Sequence, residues 1–97
     1  SDTGNYNMAL EYYTLSLNID EQMGDRHCTG GTLNNYGIVL ENKGEYQKAL
    51  EYYNRTYKIN LEVGDKFGIG GDLENIGYIY YCNNTFNIPL NFLIQLK

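Results

Sequence analysis

The pattern of apolar residues is clearest between residues 44 and 65. Apolar side chains recur there at intervals of three and four, which places one stripe along one side of a helix; they are Tyr46, Ala49, Leu50, Tyr53, Tyr57 and Leu61. Gly64 can adopt the left-handed conformation that ends a helix. Asp65 is placed to cap the next helix, because its carboxylate can accept hydrogen bonds from the first turn. The segment predicts an amphipathic helix over about residues 45–63.

The same pattern occurs 40 residues earlier in the chain. Residues 4–43 and residues 44–83 share 15 identical pairs, whereas chance would give about 3. The identical pairs include Ala9/Ala49, Tyr13/Tyr53, Gly24/Gly64, Asn35/Asn75 and Gly37/Gly77. Similarity at a fixed period over this length is typical of helical repeat arrays.

Five helices follow from the apolar spacing and from the glycines that interrupt it. Their expected ranges are about 5–23, 26–42, 45–63, 66–82 and 86–97. The last range follows the pattern more loosely, since Pro89 stands where Ala49 stood, and Pro is tolerated only in the first turn of a helix. We predict an all-α chain that forms a single array fragment over residues 1–97.

The residues that recur most clearly resemble the tetratricopeptide repeat. The resemblance rests on Leu33, Tyr36, Gly37, Leu40, Ala49 and Tyr53, with Gly44-Glu45-Tyr46 at the turn. The 40-residue period is similar to the longer-period class found in kinesin light chains, cell-polarity adaptors and bacterial regulatory proteins. The resemblance implies an α-solenoid of antiparallel helix pairs, about two and a half repeats long, that binds other proteins. Leu33 and Leu73 depart from it, because a large aromatic residue is usual at their position.

Gly37 and Gly77 lie within apolar stripes, where a glycine destabilises a helix by about 1 kcal/mol relative to alanine. Its occurrence in both copies predicts that paired helices approach closely at this position. Ala9 and Ala49 are the small residues expected to face these glycines.

The side of the second and fourth helices opposite the apolar stripe is expected to be exposed. With the flanking positions, this side carries Gly31, Asn34, Asn35, Ile38, Glu41, Asn42, Gly71, Glu74, Asn75, Tyr78, Tyr81 and Cys82. The resemblance implies that this face lines a concave groove for a peptide. Asn35 and Asn75 resemble the asparagines that family members use there, since an exposed amide offers donors and an acceptor to a peptide backbone. The alternative is that both copies merely tolerate asparagine.

The expected groove is acidic and partly aromatic. Glu41, Asp72 and Glu74 lie on or beside it, and none of its positions holds Lys or Arg. A clamp for a C-terminal carboxylate, which the family is known for, needs such basic residues. The predicted ligand is therefore an extended protein segment or peptide that is partly apolar and neutral or basic. The alternative is a structural or oligomerisation spacer within a larger signalling protein, whose groove holds no ligand.

Other classes of function find little support in the composition. The net charge of −5 argues against nucleic acid and anionic membranes as partners, since both require a basic surface. No run of 18 apolar residues occurs, so the sequence predicts no membrane span. His27 and Cys28 are 100° apart around a helix, and no nucleophile, base and orienting group share a pattern. We therefore expect no catalytic site, no bound metal and no cofactor.

The two cysteines and the two ends of the chain lead to two further expectations. Cys28 and Cys82 fall about 20 Å apart in the expected array, too far for a disulfide, which predicts free thiols and a cytoplasmic protein. The end helices lack neighbours on one side, so Tyr6, Tyr13 and Leu17 are expected to be partly uncovered. We predict that the chain either forms a homo-oligomer through an end helix or is only marginally folded as a monomer.

Overall fold

A computed structural model describes the backbone of residues 2–82 and the side chains of residues 4–82. This part of the chain forms four helices, α1 (Asp2–Met23), α2 (Arg26–Asn42), α3 (Tyr46–Val63) and α4 (Lys66–Cys82). Residues 2–82 contain no strand, and each helix packs against the next one along the chain. Helix α1 begins three residues before its expected start, and the expected helix at 86–97 lies outside the described residues.

A left-handed glycine lies in each turn between consecutive helices, and an aspartate follows it in the first and third turns. Gly24, Gly44 and Gly64 have φ values of 71°, 82° and 75°, the left-handed region in which glycine is unstrained. The N–H of Cys28 donates to the Asp25 carboxylate over 3.0 Å, and the N–H of Gly68 donates to Asp65 over 3.0 Å. The expected left-handed Gly64 and the expected Asp65 cap are therefore confirmed.

The core lies where α3 packs between α2 and α4. Its buried side chains belong to all three helices and include Leu33, Leu40, Ala49, Tyr53, Ile76 and Ile79. Tyr53 is fully buried, and its hydroxyl donates to Oε1 of Glu41 over 2.8 Å. Burial is the main cause that raises the pKa of the Tyr53 hydroxyl, and the bond to Glu41 adds to it.

Gly37 marks a close approach of α2 and α3, although its neighbour differs from the expected one. A Cβ atom at Gly37 would lie 2.7 Å from Cε1 and 2.9 Å from Cδ1 of Tyr53. The nearest neighbour of Gly37 is therefore the ring of Tyr53, which lies one helical turn beyond Ala49, the residue expected to face it. At Gly77, no described atom lies within 4 Å of the corresponding Cβ position.

Helix α4 buries a face that the apolar stripe did not predict. The α4 residues equivalent to Leu33, Tyr36, Gly37 and Leu40 are Leu73, Ile76, Gly77 and Tyr80, whereas the residues buried in α4 are Asp72, Ile76 and Ile79. Helix α4 turns this side towards α3, just as α2, one repeat earlier, turns the equivalent side towards α1.

None of the helices within residues 2–82 is long and apolar enough to cross a bilayer.

Candidate peptide-binding groove

Helices α2 and α4 lie side by side and share one open face. The Asn75 amide on α4 donates to Oδ1 of Asn34 on α2 over 3.2 Å. These two residues line a cleft of about 280 Å³ together with glycine backbone of both helices, including Gly31 and Gly71. The C-terminal half of α3 contributes Thr56 and Asn60 to the same cleft.

Four of the residues expected in a groove meet in this cleft, namely Gly31, Asn34, Gly71 and Asn75. Six others are exposed on α2 or α4 but do not line it; they are Asn35, Ile38, Asn42, Glu74, Tyr78 and Tyr81. Asn75 is half-buried and bonded to Asn34, whereas Asn35 is exposed. The two equivalent asparagines therefore lie in different surroundings.

Glu41 differs most from its expected position as a free acid of the groove. It is half-buried and accepts the hydrogen bond from the Tyr53 hydroxyl. This bond connects the edge of the α2–α4 face to the core beneath it. This bond could not be predicted, because the pattern places Tyr53 on the buried face without showing how far its hydroxyl reaches.

The aromatic part of the face lies towards the C-terminal ends of the two helices. Tyr78 and Tyr81 are 52% and 81% exposed, and their ring centroids are 6.3 Å apart at an interplanar angle of 31°. On α2, Ile38 follows Asn34 by one turn and is also exposed. The face therefore combines a polar cleft with an apolar and aromatic surface one turn further along.

Asp72 lines the cleft as a buried carboxylate, 3% exposed. Its Oδ2 accepts a hydrogen bond of 2.7 Å from the amide of Asn60, which is itself buried. Burial raises the pKa of the Asp72 carboxyl, the Asn60 bond opposes this, and the negative charge of Asp65 adds to the increase. Sequence reasoning placed Asp72 beside the groove but missed its burial and its partner.

The repeat period explains why Asn60 lies opposite Asp72. One repeat earlier, Oγ1 of Thr32 donates to the carboxylate of Asp20 over 2.9 Å. Asp20 and Asn60 are equivalent, and so are Thr32 and Asp72. The α1–α2 junction and the α3–α4 junction thus each hold one polar pair. The acid of the pair lies on α1 in the first junction and on α4 in the second. This correspondence is a signal that the sequence alone contained.

The charge lining the cleft is negative. Among the described residues that line it, two are aspartates, Asp65 and Asp72, and none is Lys or Arg. His27 lies at the same cleft with Phe67, its equivalent one repeat later. Within residues 4–82 no group of three His, Cys, Asp or Glu side chains could hold a metal ion, and Cys28 and Cys82 are free thiols.

Comparison with known proteins agrees with the arrangement of the helices. The family model of the tetratricopeptide repeat matches residues 1–62 of the 97-residue chain. No curated protein matches the chain. The match is to a repeat family, and no catalytic family is indicated. The four sequentially packed helices of residues 2–82 correspond to about two repeats. The chain therefore belongs to the tetratricopeptide repeat family.

Proposed function

We propose that the shared face of α2 and α4 binds an extended segment of a partner protein. A tetratricopeptide repeat domain is generally a protein–protein interaction module. The observation that carries the proposal is the open cleft beside the Asn34–Asn75 bond, where side-chain amides and glycine backbone adjoin. A peptide backbone needs donors and acceptors of this kind when it leaves water.

The chemistry of the face favours a partner segment that is partly apolar and neutral or basic. Asp65 and Asp72 line the cleft, so an acidic segment would be repelled, whereas a basic one would be attracted. Tyr78 and Tyr81 supply aromatic surface for an apolar side chain, and tyrosine suits recognition because it loses few rotamers. We also propose that the chain belongs to the longer-period class typified by kinesin light chains.

A cytoplasmic location and self-association complete the proposal. Two free thiols, Cys28 and Cys82, suit a reducing compartment. Of the two end helices expected to form a homo-oligomer, α1 lies within the described residues. The partners proposed here are proteins or peptides and include neither nucleic acid nor membrane.

A second candidate function is a structural spacer whose groove holds no ligand. It is favoured by the internal use of the groove's polar groups, since Asn75 is bonded to Asn34 and Asp72 to Asn60. In a spacer these bonds would hold α2, α3 and α4 in register and do nothing else. The two functions therefore differ in the role of Asn35, the exposed asparagine. In the peptide-binding function it contacts the ligand, and in a spacer it contacts none.

The test is selection of binding peptides from a random displayed library, followed by calorimetric titration of the best peptide against variants. Asn35→Ala should weaken binding about five- to tenfold, because a lost hydrogen bond to a backbone group costs about 1–1.5 kcal/mol. Asn54→Ala, at an exposed asparagine of α3, is the matched control and should leave the affinity unchanged.

Asn75→Ala is a less direct probe, because it also removes the bond to Asn34. Circular dichroism of every variant should show unchanged helicity. If no peptide is enriched, or if Asn35→Ala binds the selected peptide as tightly as Asn54→Ala, the groove proposal fails and the spacer is favoured.

A further inference from the structure

The cleft between α2 and α4 contains a carboxylate oxygen that no described residue pairs. Oδ2 of Asp72 accepts the bond from Asn60, whereas Oδ1 has no hydrogen-bond or ion-pair partner within residues 4–82. In that part of the chain no side-chain nitrogen or oxygen that is fully shielded from solvent is left unpaired. Oδ1 therefore reaches the cleft, which Asp72 lines although the residue is only 3% exposed.

A second carboxylate lies close to the first. Oδ1 of Asp65 accepts a hydrogen bond from the N–H of Gly68, and its Oδ2 has no partner among the described residues. The Cβ position of Gly68 lies 2.9 Å from Oδ2 of Asp65 and 2.7 Å from Nδ2 of Asn60, the amide bonded to Asp72. The missing side chain of Gly68 thus lets both acids adjoin one amide, and each acid keeps one oxygen free.

The cleft is open although the helix that forms one of its walls has a neighbour on both sides. That wall belongs to α2, which packs against α1 and α3. His27 and Gly31 on this wall are exposed, and they are the repeat equivalents of Phe67 and Gly71 on the opposite wall. Since these positions face solvent on a helix with both neighbours present, a helix packed after α4 in the same way would leave the cleft open.

The size and the rim of the cleft suit one long side chain. Its volume of about 280 Å³ is just below the range of about 300–1,000 Å³ that is usual for small-molecule pockets. No described atom lies within 4 Å of the Cβ positions of Gly31 and Gly71, so the space extends to the backbone of both helices. At the rim, the ring of Phe67 is 95% exposed and offers an apolar surface to the stem of a cationic side chain.

We propose that this cleft takes the side chain of one lysine of the partner segment, with the ammonium group at Oδ1 of Asp72 and Oδ2 of Asp65 and the stem against Phe67. The inference rests on the proposed function, because the lysine belongs to the segment that the α2–α4 face binds. It adds a requirement for one particular residue in that segment.

The arrangement of the acids favours lysine over other cations. An ammonium group has three donors that point in different directions, so it can meet single oxygens of two carboxylates. The planar fork of arginine pairs best with both oxygens of one carboxylate, and each of these two already uses one oxygen within the fold. A metal ion is a poor occupant, since within residues 4–82 no group of three His, Cys, Asp or Glu side chains could hold one.

The lysine would also compensate a buried charge. A buried carboxylate destabilises a fold unless a cation or several hydrogen bonds accompany it. Asp72 has one described hydrogen bond, and among the described residues that line the cleft none is Lys or Arg. Part of the attraction between the lysine and the cleft therefore comes from relieving Asp72 of its unpaired burial.

Peptides selected on the parent chain from the random library, synthesised with acetylated N-termini, test the inference. They should share one lysine. Its replacement by methionine, which keeps an unbranched stem, should weaken binding about ten- to a hundredfold in calorimetric titration, because hydrogen bonds to charged groups are lost. Acetylation itself should leave the affinity unchanged; a peptide that binds only through a free N-terminal amine would overturn the choice of lysine.

Variants of the cleft locate the effect of the lysine. Against Asp72→Asn, which retains an acceptor for the Asn60 amide, the methionine replacement should cost at least about fivefold less than against the parent. Gly71→Leu fills the cleft without removing either acid and should reduce the effect in the same way. Glu51→Gln removes an exposed acid of α3 outside the cleft; as the matched control, it should leave the effect of the lysine unchanged. Circular dichroism checks that each variant keeps its helices.

The possible failures separate this inference from the proposed function. Peptides that bind and are weakened by Asn35→Ala but share no lysine would overturn the inference alone. The same holds for a lysine that matters equally to the parent, Asp72→Asn and Gly71→Leu, and for arginine that replaces the lysine at full affinity. If no peptide is enriched, the proposed function fails and the inference fails with it.

Discussion

The contact between Gly37 and Tyr53 allows the cost of a single methyl group to be worked out. An alanine Cβ at Gly37 would lie 2.7 Å from Cε1 of Tyr53, closer than real Cβ atoms approach. The ring cannot easily give way, because it is fully buried and its hydroxyl is bonded to Glu41 over 2.8 Å. Overpacking of this kind typically destabilises a protein by about 1–3 kcal/mol.

A second effect of Gly37→Ala opposes the first. In the interior of a helix, alanine is more favourable than glycine by about 1 kcal/mol. Gly31→Ala isolates this effect, since Gly31 lies in the same helix and no described atom is within 4 Å of its Cβ position. We therefore expect Gly31→Ala to stabilise the chain by about 1 kcal/mol and Gly37→Ala to destabilise it by about 0–2 kcal/mol, so that the two variants differ by about 1–3 kcal/mol.

The assay is urea and thermal unfolding of the parent and both variants, monitored by far-UV circular dichroism. For a domain of this size 1 kcal/mol shifts the melting temperature by roughly 4–8 °C, so the two variants should differ clearly. In a Tyr53→Leu background, which removes the ring, Gly37→Ala should cost less. If Gly37→Ala proves as stable as Gly31→Ala, the close contact does not constrain the fold and the reasoning is refuted.

Two further predictions concern the polar pairs at the repeat junctions. Asp72→Asn should raise the melting temperature near neutral pH. Because the pKa of Asp72 is raised in the folded state, the protonated carboxyl stabilises the fold fully below the ordinary value of 3.8, and this stabilisation is lost as pH rises. A difference in melting temperature between parent and variant that stays constant from pH 7 down to 3.8 would contradict this. Thr32→Asp should destabilise the first junction by about 1–3 kcal/mol, because two carboxylates would then face each other. Adding Asp20→Asn, which copies the Asn60–Asp72 pair, should restore most of the loss in urea unfolding.

Much of the fold could be predicted because the chain repeats its local signals. The glycine that ends a helix and the aspartate that caps the next one act within a few residues, so Gly64 and Asp65 could be identified without tertiary information. The 40-residue offset added the pairing of the helices. For the same reason the sequence placed Asn34 and Asn75 on one face, and the structure joins them.

What could not be predicted depends on how far side chains reach between helices. Periodicity assigns Tyr53 to the buried side of α3, but the ring over Gly37 and the bond to Glu41 depend on the distance between helices. Asp72 was missed as a buried residue because a carboxylate is usually exposed. Its burial makes sense only with Asn60 opposite it, 12 residues earlier on another helix.

In the proposed function, stability and recognition use different sides of α2, and this separation determines how the variants should be interpreted. Gly37 faces the core, whereas Asn35 is exposed on α2 and is proposed to contact the ligand. A change at Gly37 should therefore alter unfolding, and a change at Asn35 should alter binding alone. Glu41 is the point where the two sides meet, since it flanks the groove and accepts the hydrogen bond of the buried Tyr53. A ligand that draws the Glu41 carboxylate away would leave the Tyr53 hydroxyl without its partner, so contact at this edge costs the binding segment part of its affinity.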